Sequence, residues 1–116
     1  MERENIILKK SFDFALLIVE FSEILEGSKK FVIAKQLLKS GTSIGANVRE
    51  AQSCESRADF IHKMKIAQKE AEETEYWLLL CKHSKNYPFK ENLMEPIKEI
   101  LKLLNSIIHT AYINKK

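Results

Sequence analysis

Apolar residues in this sequence advance in steps of three and four, and one such run passes through two glycines without losing register. Ala34, Leu37, Gly41, Ile44, Val48 and Ala51 step 3, 4, 3, 4, 3. That spacing marks one face of an α-helix. Glycine in a helix interior costs about 1 kcal/mol relative to alanine. A helix that accepts Gly41 and Gly45 therefore needs them for something else. Two physical reasons are available: a phosphate cradled on bare backbone, or another chain segment packed too close for a side chain.

Three further segments carry the same period. Ile7, Phe14, Leu17, Phe21 and Ile24 mark a first helix, with Gly27 placed as its C-cap. Ser28 is positioned to cap the second helix. Ser56 and Asp59 resemble a capping box at the start of a third, with Phe60, Met64, Ala67, Ala71, Thr74, Leu78 and Cys81 on its inner face. Asn86–Phe89, "NYPF", breaks the chain. Asn92 or a neighbour caps a fourth helix whose stripe is Leu93, Ile97, Ile100, Leu104, Ile107 and Ala111, with Pro96 tolerable in the first turn. No segment alternates with period two, so no sheet is expected. Short connections make sequential helices antiparallel neighbours. The expectation is one all-α domain over residues 1–116, an antiparallel up-down-up-down four-helix bundle.

Composition supports a folded chain and excludes several classes. Of 116 residues 45% are hydrophobic, too many for a disordered chain. No apolar run approaches the roughly 20 residues of a membrane span. The first residues, "MERENIILKK", mix acids with bases, unlike a secretory signal, and a cytoplasmic location is expected. Cys54 and Cys81 are too far apart along a helix to pair, and reduced, buried thiols are expected. The apolar surface nevertheless exceeds what a monomer needs. Trp77, Leu78, Leu79 and Leu80 are consecutive and point all round the third helix, and the apolar sweep of the fourth covers about half its circumference. A homo-oligomer would cover that excess, whereas no Lys-rich face opposes the leucines as a membrane surface would require.

The phosphate explanation for the glycines fails. A P-loop needs Gly-x-x-x-x-Gly-Lys-Ser/Thr after a strand, and "GTSIGAN" has neither the spacing nor the strand. Beside the apolar stripe runs a second one, Gln36, Ser40, Ser43, Asn47 and Glu50. With Gly41 and Gly45 next to it, this stripe lets a neighbouring helix approach closely and bond to it. In a hairpin turning near Glu55, Ser40 and Ser43 fall opposite the region of Glu70, the expected partner.

The stretch "AKQLLKSGTSIGANVREA" followed by "DFIHKMKIAQKEAEETEYWLLL" resembles the small four-helix-bundle proteins encoded in intervening sequences of bacterial 23S ribosomal RNA genes. The similarity is strong from about Phe31 to Leu80 and looser in the outer helices. It rests on Gln36-Leu37, Ser40, Ser43-Ile44, Asn47, Glu50-Ala51, Phe60, Ala67, Lys69-Glu70, Glu73-Thr74 and Tyr76-Trp77-Leu78. The resemblance implies a homopentameric barrel. It also implies kinship with the accessory protein of diversity-generating retroelements, which binds nucleic acid and a reverse transcriptase. It carries over no catalytic residues and no cofactor.

Enzymatic alternatives find little support in the residues. A di-iron bundle needs two Glu-x-x-His motifs, and only Asp59-x-x-His62 comes near. Cys54, His62, Cys81, His83 and His109 are scattered rather than clustered as zinc ligands are. Arg57 and His62 have the Arg-x-x-x-x-His spacing of helical toxin ribonucleases, in which a His would serve as acid–base and an Arg would stabilise phosphate. Five residues apart on a helix they point about 140° apart. An exposed Arg and a surface His are the simpler account, and no catalytic, metal or cofactor site is expected.

Charge supplies the last clue. Residues 29–69 carry nine bases against three acids, while 1–28 carry three against six and 70–116 seven of each. Lys35 and Lys39 form one i, i+4 ladder with Arg49 near it, Lys65 and Lys69 form another, and Lys63 lies between. Multiplied around an oligomer, these six would make a strong field for RNA or DNA with weak sequence preference. The alternative is a structural oligomer or protein adaptor with no nucleic-acid role.

Overall fold

The computed structural model describes the backbone of residues 2–114 and the side chains of residues 6–114. Four helices account for most of it: α1 (Glu2–Gly27), α2 (Phe31–Ala51), α3 (Arg57–His83) and α4 (Met94–Ile113), with one 3₁₀ turn (Glu91–Leu93) leading into α4. Consecutive helices pack side by side, and α1 packs on α4 to close the ring. Cross-helix contacts give the directions. Gly41 meets Ile18 and Gly45 meets Ser11, so α2 descends as α1 rises. Ser40 meets Thr74 while Glu50 meets Lys63, and Gln68 meets Asn105 while Lys65 meets Tyr112. The result is the expected antiparallel four-helix bundle, 51 Å long and about 20 Å across.

The inner stripes of α2 and α4 are as the spacing predicts, and every residue named for them is buried. On α3, Ile61 is buried where Phe60 was expected, and Phe60 is half-buried. The first helix differs more. Its buried residues are Ile7, Ser11, Phe14, Ile18, Phe21, Ser22 and Leu25, while Leu17 and Ile24 are half-buried on the flank. Stepping 4, 3, 4, 3, 4 from Ile7 to Leu25 requires admitting Ser11 to the stripe. Its polarity hides the true register from an apolar count.

The helix ends depart from expectation for local reasons. Gly27 stays helical, and Lys29 takes the left-handed conformation instead (φ 64°). The Lys29 N–H bonds the Glu26 carbonyl and the Lys30 N–H bonds the Leu25 carbonyl, the paired closure of a Schellman motif. Lys30, not Ser28, then stands at the start of α2, without a side-chain cap. Ser56 does cap α3, its Oγ accepting from the Asp59 N–H at 3.1 Å. Asn92 falls inside the 3₁₀ turn and caps nothing; Leu93 occupies the cap position of α4. Pro96 sits in the first turn of α4, where its missing N–H is not needed. The "NYPF" break serves the core. Phe89 meets Phe21 edge-on, ring centroids 6.2 Å apart, and Lys30 lies 4.7 Å over the Tyr87 ring, so the loop plugs one end of the bundle.

Candidate functional site

The glycines of α2 face α1. A Cβ built on Gly41 would lie 2.8 Å from Cγ2 of Ile18, closer than real side chains come, and one on Gly45 would lie 3.4 Å from the Ser11 carbonyl oxygen. The close approach foreseen in the sequence is real at Gly41, whereas a Cβ at Gly45 would make ordinary contact; both glycines belong to the α1–α2 seam and not to the side of the Ser/Asn stripe. Next to Gly45 the two helices leave an open cleft of about 230 Å³ lined by Leu8, Phe12, Ala15, Thr42, Ala46 and Arg49.

The polar stripe lies on the other side of α2, against α3. Ser40 Oγ and Thr74 Oγ1, both buried, share a hydrogen bond of 2.8 Å. Thr74 Oγ1 also lies 2.7 Å from the Glu70 carbonyl oxygen, and its single proton serves one acceptor at a time. Glu70 thus supports Ser40 through its backbone and Thr74. The expectation of a direct Glu70 side-chain partner is corrected: Thr74, one turn further along, is the residue level with Ser40. Ser43 Oγ donates to the Lys39 carbonyl at 2.6 Å and Asn47 Nδ2 to the Ser43 carbonyl at 2.9 Å, so both satisfy themselves along their own helix. Glu50 does cross the seam, its Oε1 2.7 Å from Lys63 Nζ. That hydrogen bond, and then the Glu50 charge, raise the Lys63 pKa above its ordinary value.

Gln36, Lys39, Ser40, Glu70 and Glu73 surround a small polar recess of about 90 Å³ in this seam. Burial, then the charge of Glu73, push the Glu70 carboxyl above the usual carboxylate range, with Lys39 opposing. Trp77 Nε1 donates to Glu73 Oε2 at 3.3 Å beside it.

The six basic candidates do not share one face. Lys35, Lys39 and Lys69 are exposed, and Arg49 is exposed beside the α1–α2 cleft. Lys65 reaches toward α4, its Nζ 4.9 Å over the Tyr112 ring, and Lys63 is engaged by Glu50. Among the described residues Lys35, Lys39, Arg49, Lys65 and Lys69 form no ion pair. Arg57, the first residue of α3, and His62 are both exposed, and among the described residues no side-chain hydrogen bond joins them. Cys81 is buried, which pushes its thiol up to about 11. Cys54 is only half-buried, in the α2–α3 connection, and both thiols are free. Among the described residues no group of three His, Cys, Asp or Glu side chains is placed to hold a metal ion, and no helix is long and apolar enough to cross a membrane.

With this geometry in view, the comparison with known proteins is decisive for kinship. The family model of the 23S rRNA-intervening sequence proteins matches residues 3–106. The chain belongs to that family. A crystal structure from Bacteroides thetaiotaomicron, described as a protein of unknown function from the S23 ribosomal protein family, is 48% identical with a TM-score of 0.86. The match covers 92% of this chain and 98% of that one, so the whole bundle is common to both. No functionally curated protein matches the sequence.

Sequence reasoning missed one surface. The excess apolar area expected on α3 and α4 is present at Leu79, Leu80 and Tyr112, which are exposed, while Leu101 and Leu103 are half-buried. The longer exposed strip is on α1, where Phe12 is 53%, Leu16 55% and Val19 41% exposed. Its signal was present in Leu8, Phe12, Ala15 and Val19, which step 4, 3, 4 beside the core stripe.

Proposed function

We propose that this family member is a non-enzymatic, cytoplasmic, self-associating bundle that holds nucleic acid on a repeated basic surface, with a nucleic-acid-processing protein such as a reverse transcriptase as a fitting partner. The observation that carries the reading is the set Lys35, Lys39, Lys65 and Lys69, projecting from the α2–α3 hairpin and, among the described residues, in no ion pair. A lysine ladder on one chain only keeps a helix soluble. Repeated around an oligomer, pentameric as the family resemblance suggests, the same ladder becomes a field that concentrates polyanions. Lysine side chains of this kind contact phosphates rather than base edges, so backbone charge rather than sequence would be recognised.

The test is fluorescence anisotropy with labelled RNA and DNA over a salt series. Affinity should fall log-linearly with salt, because each phosphate contact releases counterions. Reversing all four lysines to glutamate should abolish binding of both nucleic acids while leaving the particle mass unchanged. Binding indifferent to salt and to these reversals would refute the mechanism, and RNA cleavage lost in Arg57→Ala with His62→Ala would establish a ribonuclease instead. One further reading has an observation of its own. Val32 is 79% and Phe31 60% exposed at the start of α2, a small apolar knob suited to a protein adaptor, which becomes the better account if no nucleic acid binds.

A further inference from the structure

The self-association in the proposed function, supported by both the apolar excess and the family resemblance, is the premise here; the arrangement of that excess says more. Leu8 and Phe12 line the α1–α2 cleft and Leu16, one turn on and exposed, extends their i, i+4 row past it, with Arg49 of α2 beside the Leu8 end and unpaired among the described residues. Along the outer face of α3, Glu72, Tyr76 and Leu80 follow at the same spacing, Tyr76 being 57% and Leu80 38% exposed. Each step is about 6 Å of helix. Residues 70–80 carry four acids and no base. Among the described residues Arg49 is the only charge lining the cleft. The two rows therefore match in spacing, in polarity and in charge.

We infer that the α1–α2 cleft of one copy receives the outer face of α3 from the next, with Glu72 at Arg49, Tyr76 at Phe12 and Leu80 at Leu16. In this register a partner's α3 runs parallel to α1. In an up-down-up-down bundle α1 and α3 of the same copy also run parallel, so each added copy stands upright beside the last. The two surfaces belong to different sides of the molecule, and a head-to-tail contact of this kind repeats until the rotation closes a ring. It leaves Lys35 and Lys39 outside the cleft, available to the nucleic acid, while Lys69 and Lys65 lie one and two turns before the α3 row on the same helix. Arg49 is thereby assigned to assembly.

Mixing two variants tests this directly. Leu16→Glu breaks the α1 row and Leu80→Glu breaks the α3 row; both positions are exposed, and retained helical circular dichroism confirms folding. Each variant alone should run as a single 13.5 kDa chain by light scattering. Mixed, they should form one-to-one pairs and stop there, because each pair has one intact contact and two blocked ends. If Leu80→Glu still assembles while Leu16→Glu does not, the cleft pairs with itself and the inference is overturned. As a check independent of apolar positions, Arg49→Glu should dissociate the particle and Arg49→Glu with Glu72→Lys should restore it; failure of that restoration in folded protein also overturns it. A monomeric wild-type chain would instead remove the self-association on which this rests.

Discussion

Toward α1, helix α2 presents Gly41 and Gly45; toward α3 it presents Ser40, Glu50 and the back-bonded Ser43 and Asn47. The first seam is held by shape. Its backbones come close because no side chain stands between them, and Ile18 fills the space over Gly41. The second is held by hydrogen bonds and charge, from the Ser40–Thr74 pair in the interior to the Glu50–Lys63 pair at the surface. One helix thus meets its two neighbours by different physics, and substitutions on its two sides should fail in different ways. Shape failures are intolerant of a single methyl, whereas polar failures depend on what the remaining partner can still reach.

The largest effect is expected at Gly41. Ile18 is fully buried and cannot swing into solvent, so a side chain at 2.8 Å must push the core or part the helices. Gly41→Leu should overpack the seam by about 1–3 kcal/mol even after its gain in helix propensity. Urea denaturation at fixed protein concentration reads it, the concentration being held because assembly adds to apparent stability. A variant as stable as wild type would show that the α1–α2 seam is loose and that shape does not govern it.

That seam also shows what the sequence could and could not disclose. The bundle, its order and the inner faces of α2 and α4 are legible because apolar spacing is a one-dimensional record of burial. The straight helix through Gly41 and Gly45 is legible for the same reason. Which neighbour the glycines face is not, because Ser40 and Gly41 are adjacent in sequence yet about 100° apart around the helix. Choosing a neighbour for each needs the partner residue, Ile18 or Thr74, and Ile18 was hidden by the polar Ser11 in its own stripe. The Schellman end at Lys29 was invisible because glycine is the ordinary occupant of that conformation and one stood two residues earlier. Lysine residues could be counted but not weighed, since Lys63 meets Glu50 and Lys65 meets Tyr112 only in three dimensions.

On the polar side, Thr74→Val keeps the shape and removes the hydroxyl. Ser40 Oγ is then left with the Leu37 carbonyl at 3.5 Å, a poor partner for a buried group. A loss of about 1–1.5 kcal/mol is expected. Ser40→Ala should cost less, because Thr74 keeps the Glu70 carbonyl, and the double variant should cost less than the two singles together. Additive losses in the double-mutant cycle would mean that the two hydroxyls do not work as a pair.

Gly45 sharpens the contrast within the shape-held seam. Its Cβ would make ordinary contact with Ser11 at the edge of an open cleft. Gly45→Ala should therefore stabilise the chain by about 0.5–1 kcal/mol through helix propensity, with a higher melting temperature as the readout. Alanine at Gly41 should not share that gain. If both alanine variants stabilise equally, the two glycines are equivalent and the tight contact at Ile18 is unimportant.

The smallest effect is on the polar side and is visible only as a pH dependence. Glu70 sits half-buried in the seam, its carboxyl raised by burial and then by Glu73, against the pull of Lys39. A carboxyl whose folded pKa is raised holds its proton more tightly in the folded chain than in the unfolded one. Its contribution is therefore fully present below the ordinary carboxylate pKa and is lost as pH rises through the raised folded value. At neutral pH the charged Glu70 costs stability, and Glu70→Gln removes that cost while keeping the carbonyl that Thr74 uses. Between about pH 4 and pH 7 the stability of Glu70→Gln relative to wild type should climb by a few tenths of a kcal/mol, a small figure because water still screens the group. Melting curves of both proteins across that range decide the matter. A Gln variant that is less stable at neutral pH would mean that attraction to Lys39 outweighs burial, and that the α2–α3 seam is tied by charge along its whole length rather than only at Glu50 and Lys63.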